Sequence, residues 1–114
     1  MTDRKPICFV GSSLDDLRAF PPSARRGAGY QLDRAQQGLE PDDWKPMKEL
    51  GGGVREIRIR EAEGAFRVIY VSRFRESIFV LHCFQKKSEK TAQRDLDLIV
   101  RRYRALHEET DDEA

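Results

Sequence analysis

Between Val54 and Lys90 the chain carries a set of cations threaded through apolar runs. Arg58 and Arg60 alternate with Ile57 and Ile59, Arg67 stands alone inside AFRVIYV, and Lys86, Lys87 and Lys90 follow IFVLHCFQ. A cation in so apolar a run as that of Arg67 is costly unless it is paired or functional. Pairing with Glu56 across the strands would satisfy it structurally. Chemistry built from arginine and lysine points to phosphates. A guanidinium stays protonated, so it acts electrostatically rather than as a base. RNA is the substrate for which that nearly suffices, because its own 2′-OH is the nucleophile. The protein need only help remove that proton, stabilise charge on phosphorus and stabilise the leaving oxygen. His82 is the one side chain within the run of a type that commonly transfers protons. Taken alone it reads equally well as a satisfied sheet residue.

Other chemistries find little support. There is no Ser–His–Asp set and no carboxylate pair in an obvious cleft. His82 and His107 are too few and too distant to argue for a metal. Gly51–Gly53 lacks a following GK[ST] and precedes a strand, so it reads as a flexible turn rather than a phosphate loop. No metal and no cofactor are expected.

Three strands must position the cations. The runs Val54–Arg60, Ala65–Arg73 and Ser77–Gln85 show period-two alternation or strand-favouring residues. Their connections, one with Gly64 and one at Phe74–Glu76, are short enough to force antiparallel pairing. Strict alternation puts Glu56, Arg58 and Arg60 on one face, and Arg67 with Ile69 and Val71. On the last strand it groups Ile78, Val80, His82, Phe84 and Lys86, opposite Phe79, Leu81, Cys83, Gln85 and Lys87.

Around this meander, Pro6–Gly11 reads as a first strand. Ser13 with Asp16 resembles a capping box opening a brief helix, which Pro21–Pro22 stops. Ala24, Ala28, Leu32, Ala35 and Leu39 recur at helical spacing, and Gly38 ends that helix near Glu40–Pro41. Asp42–Glu49 reads as an ordered loop in which Trp44 packs. Thr91 caps a last helix whose stripe is Ala92, Leu96, Ile99, Val100, Tyr103 and Leu106, leaving Arg94, Arg101, Arg102 and Arg104 to solvent or a partner. The order β–α–α–β–β–β–α implies a compact α+β fold, one domain over 1–114, with the acidic tail at 108–114 fraying.

The formal net charge of +1 hides an asymmetry. Five of the 20 acids lie in the last seven residues, so 21 cations face 15 acids in the body. A basic body suits a polyanionic partner as readily as a solvated face. Cys8 and Cys83 read as buried free thiols in a reducing compartment. Ile7–Val10 is too short for a signal sequence and nothing approaches a membrane span, so a cytoplasmic protein is expected.

The motifs VREIR, FRVIY and HCFQKKSEKT follow in the order of a (V/L)xExR strand, an (F/Y)RV(I/L)Y strand and an HxFxKKxxKT exit. In this the chain resembles the RelE/HigB toxin superfamily, particularly its phage-derived branch, over about its whole length. The resemblance implies the RelE-like fold and the toxin of a type II toxin–antitoxin pair. Its well-studied members enter the ribosomal A site and cleave translated mRNA without a metal. It also implies a neutralising antitoxin, often a helix-turn-helix protein. The transition-state arginine falls on Arg67, the first-strand cation on Arg58 with Arg60 beside it, and the basic exit on Lys86, Lys87 and Lys90. Where the best-known ribonuclease member has a tyrosine, this chain reads Thr91–Ala92–Gln93–Arg94. His82 is then the residue that could transfer protons. Two other readings stay open: a non-hydrolytic ParE-like gyrase inhibitor, and a degenerate toxin or binding module that keeps only antitoxin contact.

Overall fold

Period-two alternation and the short turns produce the expected meander. β3 (Val54–Glu61), β4 (Gly64–Val71) and β5 (Ile78–Lys86) pair antiparallel in that order. In the computed structural model the described residues are 4–74 and 76–113, the last five by backbone alone. The turn expected at Phe74–Glu76 includes Arg75, which lies outside them.

β1 (Ile7–Phe9) lies parallel to β5 on one edge, and β2 (Trp44–Pro46) lies antiparallel to β3 on the other. The sheet is therefore five-stranded and mixed. β2 and a 3-10 turn at Lys48–Leu50 replace the loop expected at Asp42–Glu49. Trp44 pairs with Ile57 and carries the Arg55 guanidinium 4.2 Å above its ring. Three-residue edge strands leave little signal in a sequence, because so few alternations fit in them.

Helices cover both faces. α1 (Ser13–Arg18) and α2 (Pro22–Gln36) bury Leu17, Ala24, Ala28, Leu32 and Ala35 against Ile57, Ile59, Phe66, Val68 and Tyr70. α3 (Gln93–Glu113) buries Ile99 and Leu106 against Val54, Ile69, Val71 and Leu81. No helix among the described residues is long and apolar enough to cross a membrane.

Several local expectations are corrected. The Ser13–Asp16 box does not form. Ser12 occupies the cap position and donates to Asp16, while buried Ser13 donates to the Val80 carbonyl, 3.1 Å away. α3 begins after Ala92, whose carbonyl accepts from Asp95 and Leu96, so Thr91 is not its cap. β4 stops at Val71, because the Ser72 and Phe74 carbonyls turn to accept from the Lys5 ammonium. Cys8 is exposed on the edge strand; Cys83 alone is the buried thiol.

The triple glycine is pinned rather than loose. Tyr103 lies so close over Gly51 that a Cβ there would run into the ring, and Gly53 needs φ +80°. The Tyr103 hydroxyl donates to the Gly52 carbonyl at 2.9 Å and accepts from Arg73. This contact fixes α3 to the start of β3.

A register shift near Ile69/Tyr70 overturns the alternation expected for β5. Ile69 faces His82, but Tyr70 faces Val80, so Leu81 is the extra residue. Such a bulge turns two consecutive side chains to one face. Leu81 and His82 both point to the α3 side, with Phe79 and Phe84, whereas Ile78, Val80 and Cys83 face α1 and α2. Arg102, expected to be free for solvent, donates to the bulge carbonyl of Leu81 at 2.7 Å and to Ser12 at 3.1 Å.

Candidate active site

On the α3 side the register builds three cross-strand rows. Glu56, Ile69 and His82 form the inner row, Arg58, Arg67 and Phe84 the middle one, and Arg60, Ala65 and Lys86 the outer one. Alternate residues share a face, so these nine side chains form one patch. α3 shelters the inner row through its first turn and leaves the outer rows open.

Glu56 organises the arginines. It is 2% exposed, and its Oε1 lies 3.4 Å from Arg58 Nε and 3.7 Å from Arg67 Nε. One carboxylate thus partly neutralises two guanidiniums that stand directly opposite each other. The pairing alternative for Arg67 is realised, but Glu56 cannot serve two cations fully. Arg67 Nη1 donates to the Phe66 carbonyl at 3.1 Å, while its buried Nε makes no hydrogen bond. Burial pulls the Arg67 pKa down, Glu56 opposes this, and Arg58 and Arg60 pull it down further. A guanidinium so placed remains a cation at neutral pH and favours any added anion.

Arg67 forms one wall of an open cleft of about 560 Å³, with Arg60, Gly64, Ala65, Lys86 and Lys87 around it and the acids Glu61 and Glu89 also in its lining. A second, smaller nook shares Lys86 and Lys87 and adds Lys90 and Arg94. The structure thus brings Arg60, Arg67, Lys86 and Lys87 to one cleft and Arg58 to the patch beside it. Lys90 falls in the adjoining nook.

His82 is placed differently. Its Nε2 lies 2.7 Å from Asp95 Oδ1, its ring stacks on Phe84 at 4.9 Å, and its Nδ1 is buried without a partner. It belongs to the patch through the bulge, yet it is not in the cleft wall. Two residues of this arrangement escaped the sequence reading as site residues. Glu56 was legible as a same-face neighbour two positions before Arg58, though only as a pairing partner. Asp95 carried no signal beyond an acid in a first helical turn. Among the described residues no three of His, Cys, Asp and Glu gather as a metal-binding group.

No curated protein matches the chain. The model of a phage-derived protein family, Gp49-like (DUF891), matches residues 15–104, which contain all six of these cations and His82. The chain belongs to this Gp49-like family of phage-derived proteins, part of the RelE/HigB-like toxin group.

Proposed function

We propose that this chain is the toxin of a toxin–antitoxin pair and that it cleaves translated mRNA on the ribosome. The observation that carries the reading is Arg67: a buried cation, incompletely paired, opening onto a cleft with Arg60, Lys86 and Lys87. A phosphodiester seated there supplies negative charge to a guanidinium whose one carboxylate, Glu56, is shared with Arg58.

In the proposed reaction the 2′-oxygen attacks the adjacent phosphorus while the 5′-oxygen of the next nucleotide leaves. The products are a 2′,3′-cyclic phosphate and a 5′-hydroxyl end, the leaving 5′-oxygen taking its proton from solvent. Arg67 and Arg58 stabilise the negative charge that builds on the pentacoordinate phosphorus, the step at which a fixed cation contributes most. Arg60, Lys86 and Lys87 hold the flanking phosphates, with Lys90 one position further along. Glu56 keeps the two guanidiniums side by side. His82, oriented by Asp95 at Nε2 and with no partner on Nδ1, is the group that takes the 2′-OH proton in this scheme. A helix-turn-helix antitoxin that covers this patch would silence it, its on-rate raised by charge attraction.

The test is induced expression followed by primer-extension mapping of cellular mRNA. New 5′ ends inside translated messages are expected with the wild type and not with Arg67→Ala at equal soluble level. Growth arrest without new mRNA ends would overturn nucleolysis and point to a non-hydrolytic inhibitor like the ParE branch.

A further inference from the structure

A second polar pocket, of about 260 Å³, lies on the other face of the sheet, between the N-terminal segment, the end of α2 and strands β3 and β4. Its walls include Lys5, Leu39, Glu40, Arg55 and Tyr70. Nothing in the proposed RNA chemistry uses it.

Tyr70 is the informative residue. It is fully buried; the Arg55 guanidinium lies near enough to act on its hydroxyl oxygen, while the hydroxyl proton meets no acceptor among the described residues. Arg55 stands directly across the strand pair and draws the phenol pKa down, but burial is the larger influence and leaves it raised. The hydroxyl is therefore a protonated donor at neutral pH. Arginine can only donate, so however near it comes the Tyr70 proton still lacks an acceptor. A buried, unsatisfied hydroxyl costs free energy that a ligand oxygen could recover.

The other walls are donors as well. The Lys5 ammonium spends two of its three protons on the Ser72 and Phe74 carbonyls, at 3.1 and 2.8 Å. The Arg55 guanidinium lies over the Trp44 ring, 4.2 Å from its centre, and beside the Tyr70 hydroxyl. Three donors converge with one carboxylate, Glu40, on the rim. Two cations against one acid favour a monoanion over a dianion. Leu39, 48% exposed at the mouth, offers apolar surface next to the donors.

We infer that this pocket binds a carboxylate flanked by an apolar group, accepting from Tyr70 and Arg55. Two sources share that chemistry: a free short-chain acid, and an acidic side chain on a peptide with an aliphatic neighbour. The full chain, labelled with 15N, is titrated with 4-methylpentanoate and separately with acetyl-Asp-Leu-amide, with 4-methylpentanamide as control. Saturable shifts are expected at Arg55, Tyr70 and residues 38–40, with none at Arg58 and Arg67. Tyr70→Phe should weaken binding by about fivefold, the equivalent of one net hydrogen bond. Arg55→Gln gives the same reading should the Phe variant fold poorly. Saturation by only one acid names the source and upholds the carboxylate assignment. Equal binding of the amide, unchanged affinity in both variants, or no binding of either acid overturns it. None of these outcomes depends on RNA cleavage.

Discussion

The two ends of the α3-facing sheet surface are built from the same strands and meet opposite fates. Under α3, Val54, Ile69, Val71 and Leu81 pack dry against Ile99. One or two rows away, Arg58, Arg67, Arg60 and Lys86 occupy the same strands and the same side, where the helix no longer covers them. β3 passes from a buried valine at position 54 to an exposed arginine at position 60. The covered end supplies stability and the open end supplies charge. Glu56 sits at the boundary, buried like the first group and polar like the second. Rigid strands therefore carry the cations without a flexible loop, which suits a site that works by fixed electrostatics.

The largest stability difference should come from the covered end. Ile69→Ala removes a fully buried side chain and should cost about 3 kcal/mol. That lowers the melting temperature by roughly 10–20 °C, readable by calorimetry. A loss below about 1 kcal/mol would mean that α3 does not seal that end.

Next comes the boundary. Glu56→Gln leaves Arg67 without its carboxylate and should cost about 2 kcal/mol, below the usual range for a fully buried pair because Arg58 is partly solvated. A Glu56→Gln variant as stable as wild type would make the boundary ion pairs dispensable.

At the open end the Lys86→Gln, Lys87→Gln double variant should leave stability unchanged. Its log-affinity for single-stranded RNA should fall less steeply with log salt, the slope dropping by about 1.4 for two lost phosphate contacts. An unchanged slope removes both lysines from the interface.

The smallest effect concerns the opposite face. Burial pushes the Cys83 thiol up to about 12 from 9.0. The raised folded pKa favours the protonated thiol, so its stabilising contribution is complete below pH 9 and is lost as pH rises towards about 12. Tyr70 shifts in the same direction. Alkaline melts should fall less steeply above pH 9 in Cys83→Ala than in wild type. Thiol reagents should label Cys8 and spare Cys83.

These residues also show what a sequence can disclose here. The meander, the cation alternation of β3 and the Ile99, Tyr103 and Leu106 part of the apolar stripe of α3 were legible because long periodic runs leave few alternatives, whereas Ala92 lies exposed ahead of the helix. The bulge at Leu81 was not, since IFVLHCF is apolar on both faces and carries no phase to break. That one inserted residue decides where His82 points. The role of Tyr103 over Gly51 was likewise hidden, because close approach between distant segments has no local signature. In the candidate site, Arg67 stood out by its cost, whereas Asp95 looked like any exposed helical acid.

The central claim is that the open end of the sheet stabilises charge at a phosphate. Its most direct test is the cleavage of end-labelled mRNA on programmed ribosomes under single-turnover conditions, with wild type and Arg67→Ala at equal concentration. The expected result is ribosome-dependent cleavage by wild type and a rate lower by about a hundredfold or more in the variant, at a temperature where circular dichroism shows both proteins fully folded, since loss of the Glu56 ion pair lowers the variant's melting temperature. Equal rates in two equally folded proteins would show that Arg67 is only an ion-pair partner of Glu56, and the account would be wrong.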